Sequence, residues 1–187
     1  LNITDSITFK YCQGTTASYV LASISFQSVH IFKSQPAPFA MSSRPTKRCF
    51  ATLSPYEEQI GYYRAIRHGN HIFVSGTTSV DPLSPATAPK ILFPGDAKQQ
   101  TCTALQESIN AIQGLGGKGL EDIVRVKMFV GRHEHCAAVG EGFREILGKQ
   151  NQGKEGLLGA AATMIVVNGG FINMDMLVEV EVDAIVE

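Results

Sequence analysis

Val178-Glu179-Val180-Glu181-Val182-Asp183-Ala184 alternates apolar and acidic residues with a period of two. Successive side chains of a strand point to opposite faces, so the valines and Ala184 share one face and the three acids share the other. A sheet buries the first face readily. The second places three carboxylates in a row, each roughly 7 Å from the next, where they repel one another at neutral pH. Such a row needs water, a cationic partner, or a cleft that uses a carboxylate. It marks the C-terminal stretch as a strand and as a place for chemistry.

Working outward, residues 123–130 (Ile-Val-Arg-Val-Lys-Met-Phe-Val) read as a second strand, with Arg125 and Lys127 on its polar face. Residues 62–67 and 71–75 read as two strands around the turn His68-Gly69-Asn70, a hairpin signal. The segment 81–94 holds four prolines and reads as a loop. Asp96 follows Pro94-Gly95 as a helix N-cap, and Thr101, Leu105, Ser108, Ile109 and Ile112 then mark one helical face. A second helix is expected over residues 134–147, with Cys136, Val139, Gly140, Phe143, Ile146 and Leu147 as its apolar stripe. Residues 149–159 read as a loop, and residues 161–168 and 176–186 as the last two strands. The order is β-β-α-β-α-β-β, an α+β domain whose two helices cover one face of the sheet. The other face calls for closed self-association.

The 187 residues are 44% apolar and 18% charged, enough for one domain with a real core. Residues 1–49 hold five basic residues and one acid, a net charge of +4, and the rest of the chain carries −5. The folded part is therefore mildly acidic, which argues against nucleic acid as a partner. Residues 1–52 form a basic head without helical or strand periodicity. From Met41 the head is basic, hydroxyl-rich and acid-free, the composition of a mitochondrial presequence; the plainer reading is a disordered tail or a non-native upstream segment. The domain is then residues 53–187. Four cysteines without a C-x-x-C pair point to free thiols in a reducing, cytoplasmic compartment, or a mitochondrial one if the head is a presequence. No apolar run is long enough to span a membrane.

Three local clusters invite chemical readings. Leu115-Gly116-Gly117-Lys118-Gly119 follows a helix rather than a strand, so helix termination explains it better than phosphate binding. His133 and His135 stand two apart, which on a helix turns them about 200° from each other, so no metal site is expected. Ser75-Gly76-Thr77 ends a strand where backbone N–H groups could meet a ligand carboxylate or carbonyl, or simply turn the chain.

Taken together, Gly61-Tyr62-Tyr63-Arg64-Ala65, residues 69–76 (Gly-Asn-His-Ile-Phe-Val-Ser-Gly), residues 120–130 and Leu177-Val178-Glu179-Val180-Glu181 resemble the Rid family. Its members are reactive-intermediate (imine/enamine) deaminases, long filed as endoribonuclease L-PSP. The resemblance covers about residues 54–187. It implies a chorismate-mutase-like fold and a homotrimer with small-metabolite clefts between subunits. It also implies cofactor-free hydrolysis of imino or enamine acids to keto acids and ammonia, although some members have been described as cleaving RNA.

By position, Tyr62 matches the cleft tyrosine, Gly76 the glycine whose N–H contacts ligand, and Glu179 the glutamate that handles water. Ser75, Thr77, Ala162, Thr163 and Met164 complete the implied cleft. One position departs. The deaminases carry an arginine in a Pro-Ala-Arg-Ser/Thr context to grip the substrate carboxylate bidentately. Here the run is Gly159-Ala160-Ala161-Ala162-Thr163-Met164, and Ala162 takes the arginine's place. Losing such a contact costs on the order of 2–5 kcal/mol. The substitution implies a less charged site suited to a neutral ligand or a different small carbonyl or imine.

Overall fold

The computed structural model describes residues 46–85, 87–149 and 158–187. The sequence readings for residues 1–45, including the presequence-like run from Met41, and for most of the loop at 149–159 lie outside the described residues.

Among the described residues six strands form one sheet: β1 Lys47–Phe50, β2 Ala65–His68, β3 His71–Thr77, β4 Ile123–Val130, β5 Ala161–Val166 and β6 Val178–Ile185. Their spatial order is β1-β2-β3-β6-β4-β5. Only β4 and β5 run parallel; the other neighbouring pairs are antiparallel. The helices are α1 Pro55–Ile60, α2 Ala97–Gly114 and α3 Cys136–Leu147.

The acidic–apolar alternation of β6 is realised as read. Val178, Val180, Val182 and Ala184 are at most 1% exposed and join the core, while Glu179, Glu181 and Asp183 turn to the open face. α2 and α3 cover the apolar face. Asp96 caps α2 by accepting from the Gln99 N–H at 3.0 Å, and the face Thr101, Leu105, Ser108, Ile109 and Ile112 is buried. The helix ends at Gly114, and Gly116 adopts φ 85°, so the glycine cluster stops a helix as expected. The hairpin between β2 and β3 turns through Gly69 and Asn70, with His68 opposite His71.

Two features depart from the sequence reading. The sequence places the end of the head at residue 52, whereas Lys47–Phe50 pairs with β2 as an edge strand. Thr52 also donates its N–H and Oγ1 to the Glu57 carboxylate, at 2.8 and 2.6 Å. An edge strand needs one partner and little burial, so Lys-Arg-Cys-Phe shows no alternation to read. The second is α1, six residues started by Pro55 after Ser54 and closed by Gly61 at φ 83°. It is too short to display a period.

A buried glutamine ties the helix layer to the loop before β6. Gln100, fully buried, donates to the carbonyls of Phe93 and Asp175 at 3.1 and 2.8 Å and accepts from the Leu177 N–H at 2.9 Å. Gln100→Leu would keep the volume and orphan three main-chain groups. It is expected to cost about 2–4 kcal/mol in urea unfolding, with amide exchange at residues 173–177 accelerating first.

Candidate functional site

The open face sorts the three carboxylates. Across from β6, β4 offers Arg125 opposite Asp183 and Lys127 opposite Glu181. Both form ion pairs, Arg125 Nη2 to Asp183 Oδ2 at 2.6 Å and Lys127 Nζ to Glu181 Oε2 at 2.9 Å. Glu179 faces Phe129 instead. It is the one acid of the row without a cross-strand cation. It is half-buried, and burial pushes its carboxyl above the usual glutamate range. The Glu181 carboxylate adds to that rise, and the Arg64 guanidinium opposes it.

An irregularity in β3 brings Glu179 into a cleft. Val74 pairs with Val182 and Thr77 with Val180, so Ser75 and Gly76 together oppose Glu181. This is a β-bulge, a device that re-aims side chains and interrupts the ladder. Ser75 N–H donates to the Arg64 carbonyl at 2.9 Å and Ser75 Oγ to the Tyr63 carbonyl at 2.8 Å. The Ser75 amide is thus spent on the sheet rather than offered to a ligand. At Gly76 the missing side chain matters directly. A Cβ there would stand 1.9 Å from Glu179 Oε1, so the carboxylate occupies the space a side chain would fill.

Glu179, Gly76, Ser75 and Tyr62 line one cleft of about 670 Å³, together with Tyr56, Ile60, Thr78, Phe171, Ile172 and Met176. Burial raises the Tyr62 phenol above its ordinary range, and Arg64 opposes that shift. Gly169 and Gly170, at φ 94° and 76°, give the turn after β5 that brings Phe171 and Ile172 to the cleft. Glu179 is the one charged side chain in this lining, among the described residues.

The remaining expected residues stand elsewhere in the single chain. Thr77 is 1% exposed; its Oγ1 accepts from Arg64 Nη1 at 2.8 Å and donates to the Ser75 carbonyl at 2.7 Å. Its neighbour Thr78 takes the place at the cleft. Ala162, Thr163 and Met164 lie on β5, the far edge of the sheet. Phe129 pairs with both Glu179 and Ile165, so Thr163 is two strands over and two residues along, a separation of about 12 Å. Thr163 shares the open face with Glu179. Ala162 and Met164 turn toward α3, where the Met164 methyl lies 3.9 Å from where a Cβ on Gly140 would stand. Within one chain the site is therefore two groups. Tyr62, Ser75, Gly76 and Glu179 meet; the β5 trio does not join them.

Sequence reasoning missed the support behind the cleft. Arg64 and Glu57, 6% and 5% exposed, pair at 2.9 Å. The guanidinium also donates to the Gly76 carbonyl at 3.0 Å and reaches the Tyr62 hydroxyl at 3.5 Å. The two residues are seven apart, but α1 ends at Ile60 and the Gly61 turn lies between them, so their meeting follows no helix or strand period. His133-Glu134-His135 forms a 3-10 turn at the surface, with Glu134 Oε1 3.6 Å from Arg132 and 3.8 Å from His135 Nε2.

The profile of the family described as Endoribonuclease L-PSP matches residues 52–186. The chain belongs to this family, the one known also as Rid. An uncharacterised protein of Streptomyces coelicolor is 30% identical over 131 residues, covering 70% of this chain and 86% of that protein. A RutC family protein of Pyrococcus horikoshii is 27% identical over 120 residues, covering 64% and 82% of the two chains. Among solved structures, a Mycobacterium tuberculosis protein described as a member of the YjgF/YER057c/UK114 family is 28% identical. It superposes with a TM-score of 0.59, over 75% of this chain and all of that one. The YjgF gene product of E. coli shares the fold at 22% identity and a TM-score of 0.55, over 74% and 98% of the two chains. The α+β architecture expected from the sequence is the one these structures have. No helix among the described residues is long and apolar enough to cross a membrane.

Proposed function

We propose that the chain forms a homotrimer that binds small, uncharged metabolites in clefts between subunits and hydrolyses an imine or enamine to a carbonyl product and ammonia. The observation that carries this reading is the half-buried Glu179 carboxylate. It lacks a cross-strand cation, is raised in pKa by burial, and is seated against Gly76 in a cleft with Tyr62. A carboxylate with its pKa moved toward neutrality both accepts and returns a proton well. In the proposed reaction Glu179 takes a proton from water as the oxygen bonds to the C=N carbon. Glu179 returns that proton to the nitrogen, giving the neutral carbinolamine; it then takes the hydroxyl proton and passes it to the nitrogen as the C–N bond breaks, and ammonia leaves with a carbonyl behind. An enamine enters the same sequence after protonation at carbon. No cofactor is needed for this balance.

The substrate class follows from the lining. Ile60, Phe171, Ile172, Met176 and two tyrosine rings offer apolar surface, and Glu179 repels an anion. Ala162 in place of the arginine agrees with a substrate that has no carboxylate to grip. The trimer is supported by the open face, where Phe73, Ile165 and Ile185 are 51%, 48% and 39% exposed in the single chain. A neighbour's β5 edge would also bring Thr163 toward the cleft that its own chain cannot reach.

Imines generated in situ by an amine or amino-acid oxidase, with semicarbazide as competitor, test the reaction. Neutral and branched imines should lose semicarbazone yield as protein is added, with ammonia rising to match. Light scattering should give three times the 20.2 kDa chain mass. An intact trimer that accelerates none of these imines would leave the second reading, a non-catalytic metabolite sensor. The absence of a cation among the described cleft residues favours that alternative. It predicts saturable binding with the ligand recovered unchanged.

A further inference from the structure

We propose that Arg64, held by Glu57, is a positioning residue: its guanidinium fixes the Ser75-Gly76 bulge and the Tyr62 hydroxyl in the places from which Glu179 works. The inference rests on the cleft reading above and extends it to two residues outside the lining. A buried arginine is expensive unless its donors are satisfied, and here they go in three directions. Nε goes to Glu57 Oε1 at 2.9 Å. Nη1 is shared between the Gly76 carbonyl at 3.0 Å and Thr77 Oγ1 at 2.8 Å. Nη2 points at the Tyr62 hydroxyl at 3.5 Å, and the guanidinium carbon lies 5.7 Å from the Tyr62 ring centroid. Glu57 is itself fixed by the N–H and hydroxyl of Thr52.

The network closes on the bulge from both sides. The Arg64 main-chain carbonyl accepts from the Ser75 N–H, and the Arg64 side chain donates to the Gly76 carbonyl. Thr77 Oγ1 passes the hold to the Ser75 carbonyl. Three consecutive residues of β3 are thus tied to Arg64, Ser75 through its main-chain carbonyl and Gly76 and Thr77 through its guanidinium. Gly76 in turn sets where the Glu179 carboxylate rests, because Oε1 fills its missing Cβ position. A planar fork does this where an ammonium does not: one point charge cannot reach carboxylate, carbonyl and hydroxyl in three directions at fixed geometry. Near the Glu179 carboxylate stand Glu181 on its own strand, already paired with Lys127, Tyr62 across the cleft, and Arg64 behind the bulge. Its β4 neighbour Phe129 is uncharged.

Two variants test this. Arg64→Lys keeps the charge and removes the fork. The double variant Glu57→Gln with Arg64→Met removes both buried charges, so neither is left unpaired. Both are examined for melting temperature, for amide chemical shift and exchange at Ser75, Gly76 and Thr77, and for the carbon-13 titration of the Glu179 carboxyl. None of these readouts needs turnover, so they decide the proposal even if the imine assay finds no activity. The expected result in Arg64→Lys is a folded protein whose Gly76 and Thr77 amides shift and exchange faster, with Glu179 titrating near its wild-type position. In the double variant the same amides move and the Glu179 midpoint rises as well. Where turnover is present, kcat falls on the order of a hundredfold in both, with KM changed far less. A folded variant of either kind with wild-type shifts at Gly76 and Thr77 overturns the proposal. So does a loss confined to melting temperature, which a merely structural ion pair would give.

Discussion

Gly76→Ala is expected to leave the protein folded and to lower turnover by about a hundredfold or more. The reasoning is steric and local. The added methyl would come within 1.9 Å of Glu179 Oε1 and 2.9 Å of its Cδ, distances that no packed structure tolerates. The group in the way is the end of a flexible side chain, not main chain, so the strain is relieved by swinging the carboxylate out. Stability should change by no more than about 1 kcal/mol, since the bulge keeps its ties to Arg64. Chemistry should not survive as well, because the carboxylate then stands an ångström or more from its working position. Melting curves, imine turnover and ligand affinity on one preparation check this. A variant that melts normally and still turns over at the wild-type rate would show that the Glu179 position is not what the glycine protects. Gly76→Ala with Glu179→Gln should be no slower than Glu179→Gln alone, since both substitutions remove the same positioned group.

The same pair of residues shows what could be read in advance. The alternation in residues 178–184 fixed both the burial of the valines and the common face of the acids, because a strand has a period of two whatever its neighbours are. It also made Arg125 and Lys127 the natural partners of two acids. Which acid would be left over was not legible. That depends on register between β4 and β6, and Glu179 faces Phe129 only because of how the two strands align. The glycine at 76 was visible as a residue, but its reason is a contact between β3 and β6, more than a hundred residues apart in sequence. Arg64 carried no local sign at all. Its neighbours follow a strand pattern, and its burial is possible only through Glu57, Thr77 and Gly76, which meet it in three dimensions. At β5 the limit is of another kind. Ala162, Thr163 and Met164 are expected together in the cleft, but consecutive strand residues alternate faces, and only Thr163 shares the face of Glu179.

Glu179→Gln separates the catalytic and binding readings most sharply, and its effect on stability has the opposite sign to its effect on rate. If Glu179 handles the proton of water, the amide should lower kcat by on the order of 10² to 10⁴ while a neutral ligand still binds within about tenfold. If the site only binds, affinity itself falls and there is no turnover to lose. The stability effect follows from proton linkage. The folded carboxyl has a pKa above its ordinary value of 4.5, so between the two values the native state holds more protons than the unfolded chain. Stability therefore falls as pH rises through that window, and ionised Glu179 is a standing cost at neutral pH. Glutamine carries no such cost. The variant should melt at or above the wild-type temperature at pH 7, and the gap should close as pH falls below the unfolded value, where both side chains are neutral. The wild-type acid limb of kcat against pH should turn at the same raised pKa and vanish in the variant. A wild-type limb set by an ordinary glutamate pKa, together with a variant that melts lower at neutral pH, would mean that burial does not tune this carboxylate. The other titratable groups of the cleft among the described residues, the Tyr62 and Tyr56 hydroxyls, would then be the next to test as proton carriers.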